Sequence, residues 1–406
     1  MLGDPQANRP ARSGCGWRGA LVGGLAMLVA ACAGNLPGSD ALSSNPAAPP
    51  PNGAAVAQTD SIGTGQVKVG LLLPLSAPGN AGLAGQSMRN AAELALAEFN
   101  NPNVQLLVKD DGGGAQSAQQ AAQQVLDEGA GIILGPLFAA SVTQAAQVAR
   151  VRNVPVIAFS TDSNVAGRGV FLLSFLPESD VDRIVGYAIA QGKRSFVALL
   201  PDNAYGSVVE AEFKQAVSRK GGRLLALERY APDGNMTDPA RQIAQAAPGA
   251  DALFLPDAGD GAVAAAHALA ANGVDLKRLQ LIGTGLWDDS RIFADPALEG
   301  GWYPAPDSAG FREFAAHYRA RYGQDPARTA TLAYDAVALV AALVKTQGER
   351  RFATETLTNA SGFAGKDGVF RFRADGTNQR GLAVLKVTPS GGQVVAPAPR
   401  TFGSGT

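Results

Sequence analysis

Residues 67–76 read V-K-V-G-L-L-L-P-L-S, Val67 to Ser76. Val67–Leu73 is a short apolar run closed by Pro74, the pattern of a strand buried on both faces. Helical spacing follows over Gly85–Asn100, with Met88, Ala92, Leu96 and Phe99 falling on one side. A buried strand feeding an amphipathic helix is the first half of a βαβ unit, and the chain repeats it. Strands are expected at Val104–Val108, Gly131–Leu134 and Val154–Phe159, with helices at Gln116–Asp127 and Ser141–Arg150 between them. Strict alternation implies right-handed crossovers and a parallel sheet covered on both faces.

A second series of the same kind follows. Helices are expected at Ser179–Gln191, Val208–Lys220 and Ala262–Ala271, and strands at Phe196–Leu200, Leu224–Leu227, Asp251–Leu255 and Leu279–Ile282. Two runs of similar length predict two similar α/β lobes. Beyond Trp302 and Tyr303 lie two long helical patterns, Ser308–Tyr322 and Thr329–Thr346. Val369–Arg373 and Leu382–Val387 then alternate as strands around the turn Ala374-Asp375-Gly376.

The N-terminus carries a different signal. Arg9, Arg12 and Arg18 precede an uncharged stretch, Ala20–Ala31, that ends in Val29-Ala30-Ala31 before Cys32. A positive start, a short apolar segment and small residues at a cut are the parts of a secretory signal, here residues 1–31. About 12 apolar residues are too few to span a bilayer. A cysteine directly after the cut resembles the lipobox of bacterial lipoproteins, which implies lipidation of Cys32. Ala33 in the next place implies sorting to the outer membrane. The only other cysteine, Cys15, leaves with the signal, so no disulfide holds the mature chain. Residues 32–66 are rich in Ala, Pro, Gly, Ser and Asn and read as a disordered tether. Residues 399–406 read as a disordered tail.

The stretch 67–76 and Asn90-Ala91-Ala92-Glu93-Leu94 resemble the first strand and helix of the leucine-binding family of type I periplasmic binding proteins. Gly135-Pro136-Leu137 and Val154-Pro155-Val156-Ile157 resemble its third and fourth strands. Ala204-Tyr205-Gly206 and Tyr334-Asp335-Ala336 resemble a second-lobe and a late first-lobe helix. The resemblance implies two Rossmann-like lobes with parallel sheets, three connecting segments near residues 177, 305 and 379, and an interlobe cleft. Lobe I would comprise 67–176 and 305–378, and lobe II 177–304 and 379–398.

In open parallel sheets the ligand site lies beyond the carboxyl ends of the strands, where helix N-termini favour anions. Candidate ligand residues are Ser76, Ser141, Ser160, Thr161, Asp162, Trp287 and Asp288, and the resemblance adds Tyr205. Ser141 and Asp162 serve equally as cap and turn residues, and Trp287 as core. The resemblance also exposes departures. Ala139 stands where amino-acid-binding relatives carry a hydroxyl for the ligand carboxylate, and Gly285 where they carry the acid for the ammonium. Tyr205 matches a ring that packs on the ligand. Asp162 and Asp288 in the cleft would favour a ligand with an amine over a bare carboxylate.

Several classes of function lack support. A net charge of −1 gives no basic face for nucleic acid. The two histidines, His267 and His317, lie within helical patterns, and no cluster has metal-ligand spacing. Gly112-Gly113-Gly114 lacks the features of a phosphate loop and reads as a turn. No cofactor and no catalysis are expected. A solute receptor serving an ABC permease is one reading. The other is a lipoprotein activator of a penicillin-binding protein, a branch that resembles this chain in its lipobox, its tether and the junction Phe175-Leu176-Pro177-Glu178.

Overall fold

A computed structural model of the chain describes residues 61–99, 102–231 and 235–402, which belong to one compact unit. The expected signal, Cys32, the expected tether up to residue 60 and residues 403–406 lie outside the described residues.

The first lobe is a six-stranded sheet in the order β1-β3-β2-β4-β5-β6. Its strands and helices run β1 (Ser61–Ile62), β2 (Val67–Leu73), α1 (Asn80–Glu98), β3 (Val104–Asp110), α2 (Ala115–Asp127), β4 (Ile133–Leu134), α3 (Ala139–Val151), β5 (Val156–Ala158) and β6 (Val170–Leu172). From β2 to β6 every pairing is parallel, with Val67 opposite Val104 and Gly70 opposite Ile133. Gly70 stands in the buried part of β2 for a steric reason: a Cβ there would lie 2.7 Å from Cγ2 of Val125 on α2.

The ordered body begins earlier than Val67. β1 pairs antiparallel with β3, and the amides of Gly65 and Gln66 donate to Val104 O (3.2 Å) and Asn103 Oδ1 (2.7 Å). Residues 61–66 are therefore not tether; they cover an edge that would otherwise present unpaired backbone groups.

The second lobe continues with α4 (Pro177–Ala190), β7 (Ser195–Pro201), α5 (Ala204–Arg219), β8 (Arg223–Tyr230), α6 (Thr237–Ala246), β9 (Ala252–Phe254), α7 (Gly259–Ala271), β10 (Gln280–Ile282), α8 (Ser290–Ala294) and β11 (Trp302–Ala305). The chain then returns to the first lobe through α9 (Ser308–Tyr322), α10 (Ala330–Thr346) and α11 (Thr354–Leu357). A small antiparallel sheet follows: β12 (Phe363–Gly365), β13 (Gly368–Phe372) and β14 (Asn378–Arg380). Last come β15 (Ala383–Thr388) and β16 (Gly391–Ala396), which complete the second sheet in the order β16-β15-β11-β10-β9-β7-β8.

Around the parallel centre of the second sheet, the pairing at this end is antiparallel. β11 pairs antiparallel with β15, and β15 with β16. The last segment enters straight from β14 with no crossover helix, and the short hairpin at its end permits only antiparallel pairing. Residues 399–402 are also packed, with Arg371 Cζ 4.6 Å from the Phe402 ring centroid.

Each lobe has its own apolar interior. Leu71, Leu134, Phe159, Phe314, Val337 and Phe370 share the first, so α9, α10 and the small sheet belong to lobe I. Leu199, Leu253, Trp287 and Tyr303 lie in the second lobe, as does the buried face of α4, Val181, Ile184 and Val185. Fully burying a side chain of this size contributes about 1.5–3 kcal/mol, which is what makes each lobe a packed body. The chain passes between the sheets three times, at residues 173–177, 305–308 and 380–383.

Candidate functional site

The site starts from α4. Pro177 occupies its first turn, where a missing N–H costs nothing, and Glu178 and Asp180 lie in the same turn, where the helix dipole favours negative charge. Asp180 Oδ2 accepts the Gly285 N–H at 2.9 Å. A Cβ on Gly285 would lie 2.9 Å from that same oxygen. The acid that the resemblance places at 285 is thus absent by residue type, but a carboxylate from α4 stands against the position. Burial, with help from the Glu178 charge and against the Gly285 hydrogen bond, pushes the Asp180 carboxyl up to about 7.

Around Asp180 lies a cavity of about 380 Å³. It is lined from lobe II by Asp180, Tyr205, Leu286 and Asp288, from lobe I by Phe311 and Arg328, and by Phe175, Ala305 and Arg380 at the three passages between the sheets. Tyr205 follows Asn203, whose side chain caps α5 by accepting the Gly206 N–H at 2.8 Å. Its hydroxyl lies 2.7 Å from Thr284 Oγ1, and burial raises its pKa. Asp288 Oδ1 accepts from the Tyr303 hydroxyl at 3.1 Å. Leu286 is 41% exposed beside them.

The opposite wall is cationic. Arg328 donates through both Nη atoms to the fully buried Asp367, at 3.0 and 2.6 Å, and its guanidinium stacks 4.5 Å from the Phe175 ring centroid and 4.6 Å from that of Phe311. Thr331 completes the carboxylate's partners at 2.6 Å. On Phe175 a second guanidinium, Arg380, lies at 4.7 Å. Arg380 Nε and Asn378 Nδ2 both donate to Ser174 O, at 2.9 and 2.8 Å, so the third passage is tied to the first. Burial lowers the Arg380 pKa and pushes that of neighbouring Asp335 up to about 7, each charge opposing the effect on the other.

Of the residues singled out from the sequence, the cavity brings together Tyr205 and Asp288. Asp162 instead caps the turn Ser163–Val165, its Oδ1 accepting Asn164 N–H at 3.0 Å, and Ser160 Oγ accepts the Asp162 N–H at 3.1 Å. Thr161 is exposed just ahead of that turn. Ser141 is fully buried, with Oγ donating to Gly114 O at 3.2 Å, and the Ser76 N–H donates to Asp110 Oδ1 at 3.2 Å. These residues sit at the ends of the lobe I strands and do not line the cavity. Trp287 is core: 0% exposed, with Nε1 donating to Leu255 O at 2.9 Å. His267 pairs with Asp295 and His317 with Glu98 on exposed helix faces. Among the described residues no group of three or more His, Cys, Asp or Glu is placed to hold a metal, and no helix is long and apolar enough to cross a membrane.

Asp180, Arg328 and Arg380 were not singled out from sequence. The one available signal was the polar junction 175–180, since acids in the first turn of a helix pass as ordinary dipole partners.

The comparisons agree with this architecture. A crystal structure of a Rhodospirillum rubrum protein, provisionally named a branched-chain amino acid ABC transporter, superposes with a TM-score of 0.72 at 21% identity, covering 81% of this chain and 99% of that one. A solute-binding protein of an ABC transporter from Rhodopseudomonas palustris BisB5, solved with 3,4-dihydroxybenzoic acid, gives 0.57 at 20% identity over 83% and 97%. At these identities the likeness concerns the fold. Penicillin-binding protein activator LpoA of Shigella flexneri is 26% identical over 133 residues, 32% of this chain and 19% of its own length. The chain spans less than half the length of the curated relatives it matches. The model of the family described as periplasmic binding protein matches residues 66–393, and the chain belongs to that family.

Proposed function

We propose that this protein is a non-catalytic receptor that holds a small amino-acid-like solute between its lobes for ABC-type uptake or sensing. On this reading it is anchored in the periplasm, at the outer membrane, by a lipid on Cys32. The observation that carries the reading is the cavity: it draws on both lobes and all three passages between them, and groups of both charge signs line it. Such a site closes on a ligand by hinge motion at the passages. Asp180 and Asp288 suit an amine or other donor. A volume of about 380 Å³ suits a small molecule.

The test is a thermal-shift screen of the mature protein against amino acids, their amides and small peptides. A ligand at a hundredfold excess over its Kd stabilises the native state by about 2.7 kcal/mol, which a melt resolves. A screen with no shift in any of these classes refutes the receptor reading.

The match to LpoA supports a second reading, in which the domain regulates a penicillin-binding protein from the outer membrane. There, Tyr205→Ala leaves function intact, while shortening the segment 33–60 abolishes it by removing reach. A receptor gives the opposite pattern.

A further inference from the structure

We propose that a crevice on the far side of the interlobe passages is the counterpart of the cavity: its oppositely charged walls draw together when the cavity is empty and so hold the cavity open. This deepens the receptor reading, on which the hinge motion rests, by naming what regulates the site.

The crevice encloses about 900 Å³. Side chains at the passages divide between the two spaces. In α4, Asp180 lines the cavity, whereas Glu178 and Asp182 line the crevice. Positions 178 and 182 share one face of the helix, and 180 lies on the other. In β14, Gln379 lines the crevice and Arg380 the cavity, as successive residues of a strand point to opposite sides. Leu176 borders both spaces. Cavity and crevice therefore lie on opposite sides of α4 and β14, at the first and third passages. A rotation of the lobes about those passages that narrows one space widens the other.

The walls of the crevice carry opposite charge. Lobe II contributes three acids, Glu178, Asp182 and Glu212, against two bases, Arg219 and Lys220. Lobe I contributes two bases, Arg371 and Arg373, against one acid, Asp375. Most of these charges are satisfied within their own wall. Arg219 pairs with Asp182 at 2.7 Å and with Glu212 at 3.0 Å, and Lys220 pairs with Asp182 at 2.8 Å. Arg371 donates to Gln379 Oε1 at 2.8 Å and to the Ala360 carbonyl at 3.0 Å. An acid remains over on one side, Glu178, and an exposed base on the other, Arg373; neither has an ion pair among the described residues. The excess charges attract across the crevice, and a solute that closes the cavity must draw these walls apart. Its apparent affinity is then lowered by the fraction of molecules that the crevice holds open.

The test reads lobe opening and needs no solute. On the mature chain carrying Cys32→Ser, nitroxides are placed at Ser290→Cys, just beyond Asp288, and at Ala316→Cys, on α9 beyond Phe311. Both positions are exposed, one on each lobe, and the distance between them is measured by pulsed electron resonance. Arg373→Glu turns the attraction into repulsion and is expected to shift the distances to shorter values. Salt at about 1 M, which screens charges beyond about 3 Å, is expected to reverse that shift. Ala360→Trp adds bulk at an exposed position of the crevice and is expected to shorten the distances at any salt concentration. Distances that stay unchanged or lengthen in either variant overturn the inference, as does an Arg373→Glu shift that salt leaves in place. These outcomes leave the receptor reading standing, since that reading fails only in the solute screen.

Discussion

Asp180→Asn tests whether the cavity holds a carboxyl group that burial keeps protonated. The amide retains an oxygen to accept the Gly285 N–H, so the substitution removes the charge and little else. In the folded protein the Asp180 pKa is raised from its ordinary 3.8 to about 7. Between those values the folded state holds a proton that the unfolded chain has released. Stability from this group is therefore complete below about pH 4 and is lost as pH rises through 7. At ~1.4 kcal/mol per pH unit the full interval amounts to ~4 kcal/mol. Asp180 is only partly buried and faces the cavity, so water reduces the effect to about 1–2 kcal/mol. The assay is urea unfolding of wild type and variant by circular dichroism from pH 4 to 8. Asp335, raised to about 7, and Asp111, raised to about 6, titrate in the same window but cancel in the difference between the two proteins. The variant is expected to gain on wild type as pH rises from about 4 towards 7 and to hold level above that. A flat difference across that range would refute the burial argument and remove the protonated carboxyl from the cavity.

Two further outcomes follow from the same reasoning. Trp287→Ala is expected to lower unfolding free energy by roughly 3–5 kcal/mol, since it empties a fully buried site and orphans the carbonyl of Leu255; a loss below about 1 kcal/mol in urea melts would show that the ring is not structural. Cys32→Ala is expected to move the protein from the membrane to the soluble periplasmic fraction, because stable anchoring takes more than one acyl chain and all of them depend on that residue; retention in the membrane fraction refutes the lipobox reading.

The fold was legible wherever a pattern is local. Val67–Leu73 announced a buried strand and Ser308–Tyr322 a helix, each at its observed bounds, because period and capping act over a few residues. Strands β6 and β11 are too short to show a period, β1 hid in the composition of residues 32–66, and helix α6 was missed although its spacing is amphipathic. The antiparallel end of the second sheet was invisible too, since pairing direction depends on where the chain re-enters.

The site divides along the same line. Asp288, expected from its place after a strand, and Tyr205, expected from the resemblance, line the cavity, whereas Ser141 and Asp162, expected from the same strand-end rule as Asp288, lie outside it in local hydrogen bonds. The tertiary structure alone decided the cationic wall. Arg380 reaches Ser174, 206 residues earlier, and Arg328 reaches Asp367 on the far side of α10. A sequence read segment by segment determines which elements form, because propensity and burial period are short-ranged. Which charge stays unpaired is a property of three chain passages meeting at one place, and that meeting exists only in the folded protein.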